Sequence, residues 1–480
     1  MKTQRILVSL LLVATMILGV FAFAGCESGG GVAADFIIPE GGFDTSKPVT
    51  ITFYHTMGSN LRDVLDRYIA EFNKLYPNIT VQHEQVGSYD DVRDQIKTEI
   101  TVGNQPNIAY CYPDHVALYN LAQAVTTLDS LIASDLEVTR ADGSKEILGL
   151  TDAQIADFIK GYYDEGKQFG DGKMYTMPLS KSTEVLYYNK TFFDKHGIKV
   201  PTTWDELEAV CEQIKSIDPD SIPLGYDSES NWFITMCEQS GSAYTSATGD
   251  DLFLFDNETN RAFVARFREW YQKGYVTTQE ISGGYTSELV TKAESDVGNS
   301  YMSIGSSAGA THQRPDKVND AYPFEVGIAT IPQLNAANPK VISQGPSLCI
   351  FKKNDPQEVM ASWLFVKFLC TTVEFQAEFS MASGYVPVIK SVGENPIYKG
   401  DFLDLADGGD YISALSAKIC LEQEKAYYTS PAFNGSSTAR DQVGLLMQKC
   451  LSSDWGNDAE AQIKKAFEDA IAECKYQAGN

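Results

Sequence analysis

The side chains most able to do chemistry are five histidines and a large number of carboxylates. The histidines lie far apart, without the HxxxH or HExxH spacing of metal sites, which predicts loop or surface positions rather than metal ligands. They are His55, His83, His115, His196 and His312. No GxSxG elbow, P-loop or GxGxxG fingerprint occurs in the sequence. The sequence therefore contains no motif for catalysis, and we expect neither a cofactor nor a bound metal.

Adjacent acidic residues occur at several places, but their positions have simple explanations. Asp90 and Asp91 stand at the predicted start of a helix, where the helix dipole favours negative charge. Asp250-Asp251 and the 256–258 segment are loop acids whose spacing does not match an EF-hand. A glycosidase needs two facing carboxylates, and a chain this acidic leaves that alternative open.

The overall charge is strongly negative. Acidic residues outnumber basic ones by 64 to 38, which gives a formal net charge of −26. Such a surface repels phosphate backbones, and we therefore exclude nucleic acid as a partner. With 43% hydrophobic residues over 480 positions, the chain has the composition of a soluble protein of two or three domains or one large bilobal one.

The N-terminus has the layout of a bacterial lipoprotein signal peptide. Lys2 and Arg5 precede an apolar run from Ile6 to Phe23, and small residues then lead to Cys26. We expect residues 1–25 to be a signal peptide and Cys26 to carry the lipid. Ordinary cleavage with an incidental cysteine is the alternative. The Gly-rich stretch 26–47 is expected to be a flexible tether between the lipid and the folded part.

The other cysteines do not form a disulfide scaffold. Nine cysteines are present, and the eight besides Cys26 are spread over more than half the chain without any CxxC pair. Four of them occupy apolar positions in helical patterns and are expected to be buried free thiols: Cys211, Cys370, Cys450 and Cys474.

Strands and helices alternate along the chain. Val49–Tyr54 reads as a first strand, and the apolar spacing from Leu61 to Leu75 predicts an amphipathic helix that Pro77 ends. Ser88 is predicted to cap the next helix. Further on, Thr203 and Glu206 form a capping box. This order is typical of α/β units around a mainly parallel sheet.

Several segments, in order, resemble a known family. The strongest block is 177–190, Met-Pro-Leu-Ser-Lys-Ser-Thr-Glu-Val-Leu-Tyr-Tyr-Asn-Lys, followed by the Pro-Thr-Thr-Trp-Asp-Glu-Leu of 201–207. Weaker matches lie at 51–57, 71–77, 87–90, 103–106, 344–347 and 384–388. Together they make the chain similar to the family 1 extracellular solute-binding proteins of ABC importers. Within that family it resembles the branch that binds carbohydrates and glycerol phosphate.

The resemblance implies a periplasmic-binding-protein type II fold, in which two α/β lobes are joined by a hinge and hold the ligand between them. We expect 48–179 and 303–352 to form lobe I, and 180–302 and 353–480 to form lobe II. The chain is expected to cross between the lobes near Pro178–Thr183, Tyr301–Ser307 and Lys352–Pro356. Pro178 and the polar run after it suit a hinge.

The resemblance also implies candidate ligand-binding residues. Aromatic rings would stack on the faces of a sugar, and polar groups would fix its orientation. Gly345 would allow a close backbone approach. Trp232, Tyr89, Ser182 and Thr183 also have plain structural readings, as core, cap packing or hinge residues. The candidates are Tyr89, Asp114, Ser182, Thr183, Trp232, Ser306, Ser307, Gly345, Tyr385 and Phe433.

One departure from the family bears on the ligand. The glycerol-phosphate branch has an arginine near a C-terminal Arg-Gly motif, and the 430–440 segment here has no Arg-Gly. Arg440 comes later and is expected to face elsewhere. Because a buried phosphate needs a guanidinium partner, we expect a neutral sugar or oligosaccharide, with glycerol phosphate or its diesters as the alternative.

The resemblance implies a binding protein rather than an enzyme. Its partners would be the carbohydrate, the ABC permease subunits and, through them, a cytoplasmic ATPase. The protein would be a monomer held on the outer side of the cell membrane by the Cys26 lipid. A surface glycan-degrading enzyme and a ligand-binding module of a sensor complex are the alternatives.

Overall fold

The computed structural model describes residues 35–169, 171–291, 299–404 and 412–479. The signal peptide, Cys26 and the first part of the expected tether lie outside these residues. Within the described ranges, no helix has both the length and the apolar character needed to cross a membrane.

The strands of the described chain build two main sheets and a small hairpin. In chain order they are β1 (Val49–His55), β2 (Ile79–Gln85), β3 (Ile108–Cys111), β4 (Glu137–Thr139), β5 (Lys145–Ile147), β6 (Thr176–Pro178), β7 (Ser182–Asn189), β8 (Leu224–Tyr226), β9 (Val276–Thr278), β10 (Met302–Ser306), β11 (Val326–Thr330), β12 (Val341–Gln344), β13 (Ser347–Ile350) and β14 (Tyr427–Tyr428).

Helices cover both sheets. They are α1 (Ser59–Leu75), α2 (Tyr89–Ile100), α3 (Pro113–Asn120), α4 (Asp129–Ile132), α5 (Asp152–Asp157), α6 (Lys160–Asp164), α7 (Lys190–His196), α8 (Trp204–Ile217), α9 (Glu229–Ser240), α10 (Glu258–Gln272), α11 (Gln279–Ser282), α12 (Ser287–Thr291), α13 (Pro356–Thr371), α14 (Val373–Met381), α15 (Pro396–Gly400), α16 (Ile412–Glu422), α17 (Ser436–Ser452) and α18 (Ala459–Gln477).

Lobe I is built around the first sheet, whose strand order is β2-β1-β3-β13-β6. Strands β1, β2 and β3 are parallel, whereas β13 runs antiparallel to both β3 and β6. The sheet is therefore parallel in the part that the sequence predicted, and antiparallel where a late segment of the chain returns to it. Its core includes Ile51 and Phe53 of β1 and Trp363 and Phe365 of α13.

Lobe II is built around the second sheet, with strand order β14-β12-β7-β10-β8-β9 and β11 paired to β7. Here β8 is parallel to β9 and β10, and β7 is antiparallel to β10, β11 and β12. Helices α8, α9, α10, α17 and α18 bury their apolar faces in its core. Two lobes, each with its own sheet and core, agree with the expected architecture.

The expected boundaries of the lobes need two corrections. The first crossing, between β6 and β7, lies where the sequence predicted it. However, β10, β11 and β12 all belong to the second sheet, so the chain returns to lobe I between Gln344 and Ser347 rather than near 301–307. In addition, residues 356–402 pack in the core of lobe I rather than lobe II, because α13 is apolar on nearly every side and is covered by the first sheet and by its neighbouring helices.

The described end of the expected tether is docked on lobe I. Phe43 is buried in the lobe I core, and the Asp35 carboxylate lies 2.8 Å from the Lys173 ammonium. The backbone of Gly42 and Asp44 exchanges hydrogen bonds with the Gln357 side chain at 3.0 and 2.8 Å. The prediction that all of 26–47 is a flexible tether is therefore wrong for residues 35–47. Phe36, Ile38 and Phe43 in this stretch pack on the lobe I core.

Local capping signals predicted the starts of α2 and α8, and the structure confirms both. Ser88 and Asp91 form a capping box at α2, and Thr203 and Glu206 form one at α8. The four cysteines predicted as buried thiols, Cys211, Cys370, Cys450 and Cys474, are buried and free.

Candidate functional site

A cavity of about 50 Å³ lies between the two lobes. Lobe I contributes the start of α3 and the turn after α6, and lobe II contributes β12, the 429–431 loop and the start of α17. A space of this size holds a few water molecules, so a sugar-sized ligand requires the lobes to part. Its polar lining includes Tyr112, Asp114, Glu165, Tyr244, Ser343, Gln344, Ser430 and Arg440.

The lobes touch at the rim of this cavity. Arg93 on α2 donates to Ser437 on α17 at 3.1 Å, and its guanidinium lies 3.5 Å from the Asp441 carboxylate. Gln168 donates to Thr429 across the same gap. The described conformation is therefore a closed one, in which polar side chains of the two lobes hold the rim together.

Tyrosines form the lobe I wall. Tyr89 stacks on Tyr112 with ring centroids 4.5 Å apart, and the Tyr89 and Tyr385 hydroxyls lie 3.5 Å from each other. Asp114 stands in the first turn of α3, and its Oδ2 atom is buried without a hydrogen-bond partner among the described residues. Of the predicted residues, Asp114 thus lines the cavity itself, whereas Tyr89 and Tyr385 lie beside Tyr112, the lining tyrosine of lobe I.

Arg440 provides the positive charge of the lobe II wall. It stands near the start of α17, lines the cavity and donates to the Oδ1 atom of Asn231 on α9. Burial would lower the pKa of the Arg440 guanidinium, but Asp114 and the Tyr244 and Tyr112 phenols outweigh it and raise the pKa above its usual value. The cleft therefore contains a permanent cation opposite the Asp114 carboxylate.

The expectation that Arg440 faces elsewhere is wrong. The 430–440 segment lacks the Arg-Gly motif, but Arg440 reaches the cleft because the first turns of α17 point at lobe I. Ser436, Ser437 and Arg440 recur at helical spacing after Gly435, and this spacing was the signal that could have placed them on one face. Tyr112, Glu165 and Tyr244 were also missed, and no local pattern marks them.

A buried ion pair stands where the chain first crosses between the lobes. Lys181, fully buried, donates to the Glu165 carboxylate, which lines the cleft, and lies 3.4 Å from the Ser347 hydroxyl. Each charge needs its partner, because an unpaired buried charge is costly. The pair therefore fixes the crossing segment next to the ligand space.

The predicted serines and threonine of the crossover bond to one another. Ser306 donates to Ser182 at 3.4 Å, the Ser307 hydroxyl accepts from the Thr183 backbone at 3.3 Å, and the Thr183 hydroxyl donates to the Ile342 carbonyl at 2.7 Å. Ser182, Thr183 and Ser307 are buried, whereas Ser306 is half-buried. In the closed conformation these hydrogen bonds join the start of β7 to the end of β10, to the residue after it and to β12.

Two glycines allow backbone segments to meet at the same place. Gly345 has φ +99°, and a Cβ there would lie 2.5 Å from the Ser180 carbonyl oxygen. A Cβ on Gly384 would lie 1.7 Å from the Ser307 carbonyl oxygen. The backbone at Gly345 therefore makes the close approach that was expected, and the segment it approaches is the crossing between β6 and β7.

Two of the predicted stacking residues belong to the lobe II core. Trp232 is fully buried, with its ring 4.9 Å from Tyr226 and 4.1 Å from Phe267. Phe433 is also buried and packs on Phe253 at 5.9 Å. Neither ring is available as a ligand platform, because apolar neighbours cover both.

Glu184 on β7 is a buried carboxylate close to Arg440. Burial raises its pKa from the usual 4.5 to about 7, against the opposing effects of hydrogen bonds from Tyr226 and Asn231 and of the Arg440 charge. The folded state therefore binds this proton more tightly than the unfolded chain does. Between pH 4.5 and 7 the resulting stabilisation is lost as the pH rises.

Replacing Glu184 with glutamine removes this titration. We expect the unfolding free energy of Glu184→Gln, relative to the native protein, to improve by about 2 kcal/mol between pH 5 and pH 8. Urea unfolding at the two pH values measures the change. An equal difference from the native protein at both pH values would contradict the prediction.

Comparison with known proteins agrees with this architecture. The sequence profile of the bacterial extracellular solute-binding proteins matches residues 67–403. The sn-glycerol-3-phosphate-binding periplasmic protein UgpB of Salmonella typhimurium is 24% identical over 378 residues, which cover 75% of this chain and 79% of that protein.

Solved structures show the same fold. UgpB of Mycobacterium tuberculosis, in complex with glycerophosphocholine, has a TM-score of 0.69 at 18% identity and covers 90% of this chain and 98% of its own. Lmo0181 of Listeria monocytogenes, in complex with cycloalternan, has a TM-score of 0.69 at 18% identity, over 90% of this chain and 100% of its own. The two-lobed architecture is therefore the type II periplasmic-binding-protein fold. With its profile match over most of the folded part, the chain belongs to the bacterial extracellular solute-binding proteins.

Proposed function

We propose that this protein captures a small phosphorylated polyol, of the glycerol phosphate or glycerophosphodiester class, for uptake by an ABC importer. The observation that carries the proposal is Arg440 in the interlobe cavity. Glycerol phosphate was the alternative in the sequence analysis, where the supposed absence of a guanidinium counted against it. Because Arg440 lies in the cavity, that objection no longer holds.

The bonding of Arg440 supports an anionic ligand. Among the described residues its hydrogen-bond partner is Asn231, a neutral amide, and no carboxylate forms an ion pair with it within 4.0 Å. A guanidinium at the edge of a closed cleft gains most from a bidentate anion such as phosphate. Ser430 lines the same wall, and its buried hydroxyl has no hydrogen-bond partner among the described residues, so it can donate to a further phosphate oxygen.

The opposite wall supports a polyol. The Asp114 carboxylate lies across the cavity from Arg440, and its unpartnered oxygen can accept a hydrogen bond from a ligand. The Tyr112 ring, which stacks on Tyr89, provides an apolar surface beside it. Hydroxyls or a cationic head group attached to the phosphate would face these groups.

A neutral sugar is the second candidate, and the tyrosine wall favours it. Tyr112 and Tyr244 line the cavity, Tyr89 stacks on Tyr112, and the Tyr385 hydroxyl lies 3.5 Å from that of Tyr89. Aromatic rings are common platforms for sugar faces. In this case Arg440 and Asp114 would bind hydroxyl groups, and the lobes would open further to admit the ring. Tyr89, Asp114, Tyr385 and Arg440 are the proposed contact residues for either ligand.

A thermal-shift screen separates the two ligand classes. The panel contains sn-glycerol 3-phosphate, glycerophosphocholine, glycerol, maltose and maltotriose. We expect a rise of several degrees in the melting temperature with the phosphate esters and none with glycerol, because a ligand that binds only the closed state stabilises it by mass action. A rise with the sugars alone would show that the second candidate is correct.

The remaining roles follow from this proposal. Cys26 would carry the lipid that holds the protein, as a monomer, on the outer face of the membrane, and the closed form would be recognised by the permease subunits. Closure of the lobes is driven only by the difference in ligand affinity between the closed and open states. Because the proposed role is binding alone, the ligand should leave chemically unchanged. Recovery of a converted product after incubation would show instead that the protein is an enzyme.

A further inference from the structure

A row of four hydrogen-bonded side chains leads from the lobe II core to the cleft. The Tyr226 hydroxyl donates to Glu184 at 2.6 Å, and the Asn231 amide nitrogen donates to the other Glu184 oxygen at 3.0 Å. The Asn231 amide oxygen then accepts a hydrogen bond from Arg440. A single neutral amide thus stands between a buried carboxylate and the guanidinium that lines the cavity.

The orientation of this amide matches the charge on each side. Its donor faces the Glu184 carboxylate and its acceptor faces the Arg440 cation. The other titratable groups that face Glu184 are the Tyr226 and Tyr428 phenols and the Asp227 carboxylate. Asp227 is itself satisfied by the Thr286 backbone and hydroxyl, both at 2.7 Å. Among these groups, Arg440 is the cation that could pair with Glu184.

Without the amide, the two charges would attract each other directly. A charge-assisted arginine–carboxylate pair is stronger than the bond of an arginine to a neutral amide. The arginine side chain is long and could shift by the width of one amide. Its attraction to the carboxylate would then offset part of the free energy that Glu184 loses on removal from water. A guanidinium drawn onto Glu184 would be withdrawn from the cavity.

We propose that Asn231 is a positioning residue that keeps Arg440 apart from Glu184, so that the guanidinium stays available to an anionic ligand in the cleft. This inference rests on the proposed function, since it concerns the same anion-binding group. It goes beyond that function because it assigns a role to two buried residues, Asn231 and Glu184, that are not among the residues lining the cavity.

The test is a double-mutant comparison with sn-glycerol 3-phosphate in a calorimeter at pH 8. We expect Asn231→Ala to weaken binding by at least about 10-fold, because Arg440 then pairs with Glu184. Adding Glu184→Gln to the same chain should recover most of that loss, because no carboxylate remains to capture the guanidinium. A purely structural Asn231 would give a double variant as weak as Asn231→Ala or weaker, and this result would overturn the inference.

Two controls make the comparison specific. Thr235→Val removes a buried polar contact one turn further along α9, with Tyr428 at 2.8 Å, and should change the affinity by less than about 2-fold. If Asn231→Ala does not fold, Asn231→Ser keeps a small polar side chain that is too short to bridge and serves in the same comparison.

A crystal structure of ligand-free Asn231→Ala tests the inference without any binding measurement. We expect a direct ion pair between Arg440 and Glu184 in that variant. A guanidinium that stays in the cavity would overturn the inference, even if the native protein binds the phosphate ester. Conversely, an ion pair in a protein that binds no phosphate ester would leave the positioning role intact and refute the proposed function alone.

Discussion

Replacing Arg440 with glutamine is expected to weaken the binding of sn-glycerol 3-phosphate by at least about 100-fold. The change removes a charge-assisted, bidentate contact from a closed cleft, and loss of one partner of a buried charge pair costs about 2–5 kcal/mol. Arg440→Lys keeps the charge but not the planar fork, so its loss should be smaller. Titration calorimetry of the three proteins at neutral pH measures the effect.

The matched control is Arg266→Gln. Arg266 also belongs to lobe II, but its guanidinium pairs with Asp205 at 2.6 Å and Glu208 at 2.9 Å on the protein surface. Its replacement should leave the affinity unchanged, because no cleft residue depends on it. If Arg440→Gln and Arg266→Gln behave alike, Arg440 is not the anion-binding group.

The Trp232→Ala variant is expected to lose about 3–5 kcal/mol of unfolding free energy, the usual cost of truncating a large buried ring. The ring packs against Tyr226 and Phe267 in the lobe II core, so its truncation would leave a cavity there. Urea unfolding measures the loss. At temperatures where the variant remains folded, ligand affinity should stay within a few-fold of the native value.

Trp455→Ala provides the comparison for this prediction. Trp455 is half-buried and packs against the Arg268 guanidinium at 4.7 Å, so its removal should cost clearly less than that of Trp232. If Trp232→Ala keeps its stability and loses the ligand, then Trp232 is a binding residue, as the sequence analysis had considered.

Local signals predicted the elements well, because they depend on neighbours in the chain. The capping boxes at Ser88 and Thr203 and the apolar spacing of α1 each act within one or two turns. The first crossing, between Pro178 and Ser182, was also visible as a proline followed by small polar residues. Each of these signals lies within a few residues of the feature it predicts.

Long-range packing decided the features that the sequence did not reveal. Helix α13 is apolar on nearly every side, so the periodicity of its sequence does not show which of the two sheets covers it. Its assignment to a lobe therefore depended on long-range packing. Trp232 was ambiguous for the same reason, because a buried ring and a ligand platform have the same local sequence. Arg440 was misplaced because its position depends on the angle at which α17 meets lobe I.

The most direct test of the central claim is a calorimetric titration of the native protein with sn-glycerol 3-phosphate, glycerol and maltose under identical conditions. We predict saturable one-to-one binding of the phosphate ester and no measurable heat from glycerol, because only the ester carries an anion for Arg440. Saturable binding of maltose, with none of the phosphate ester, would contradict it.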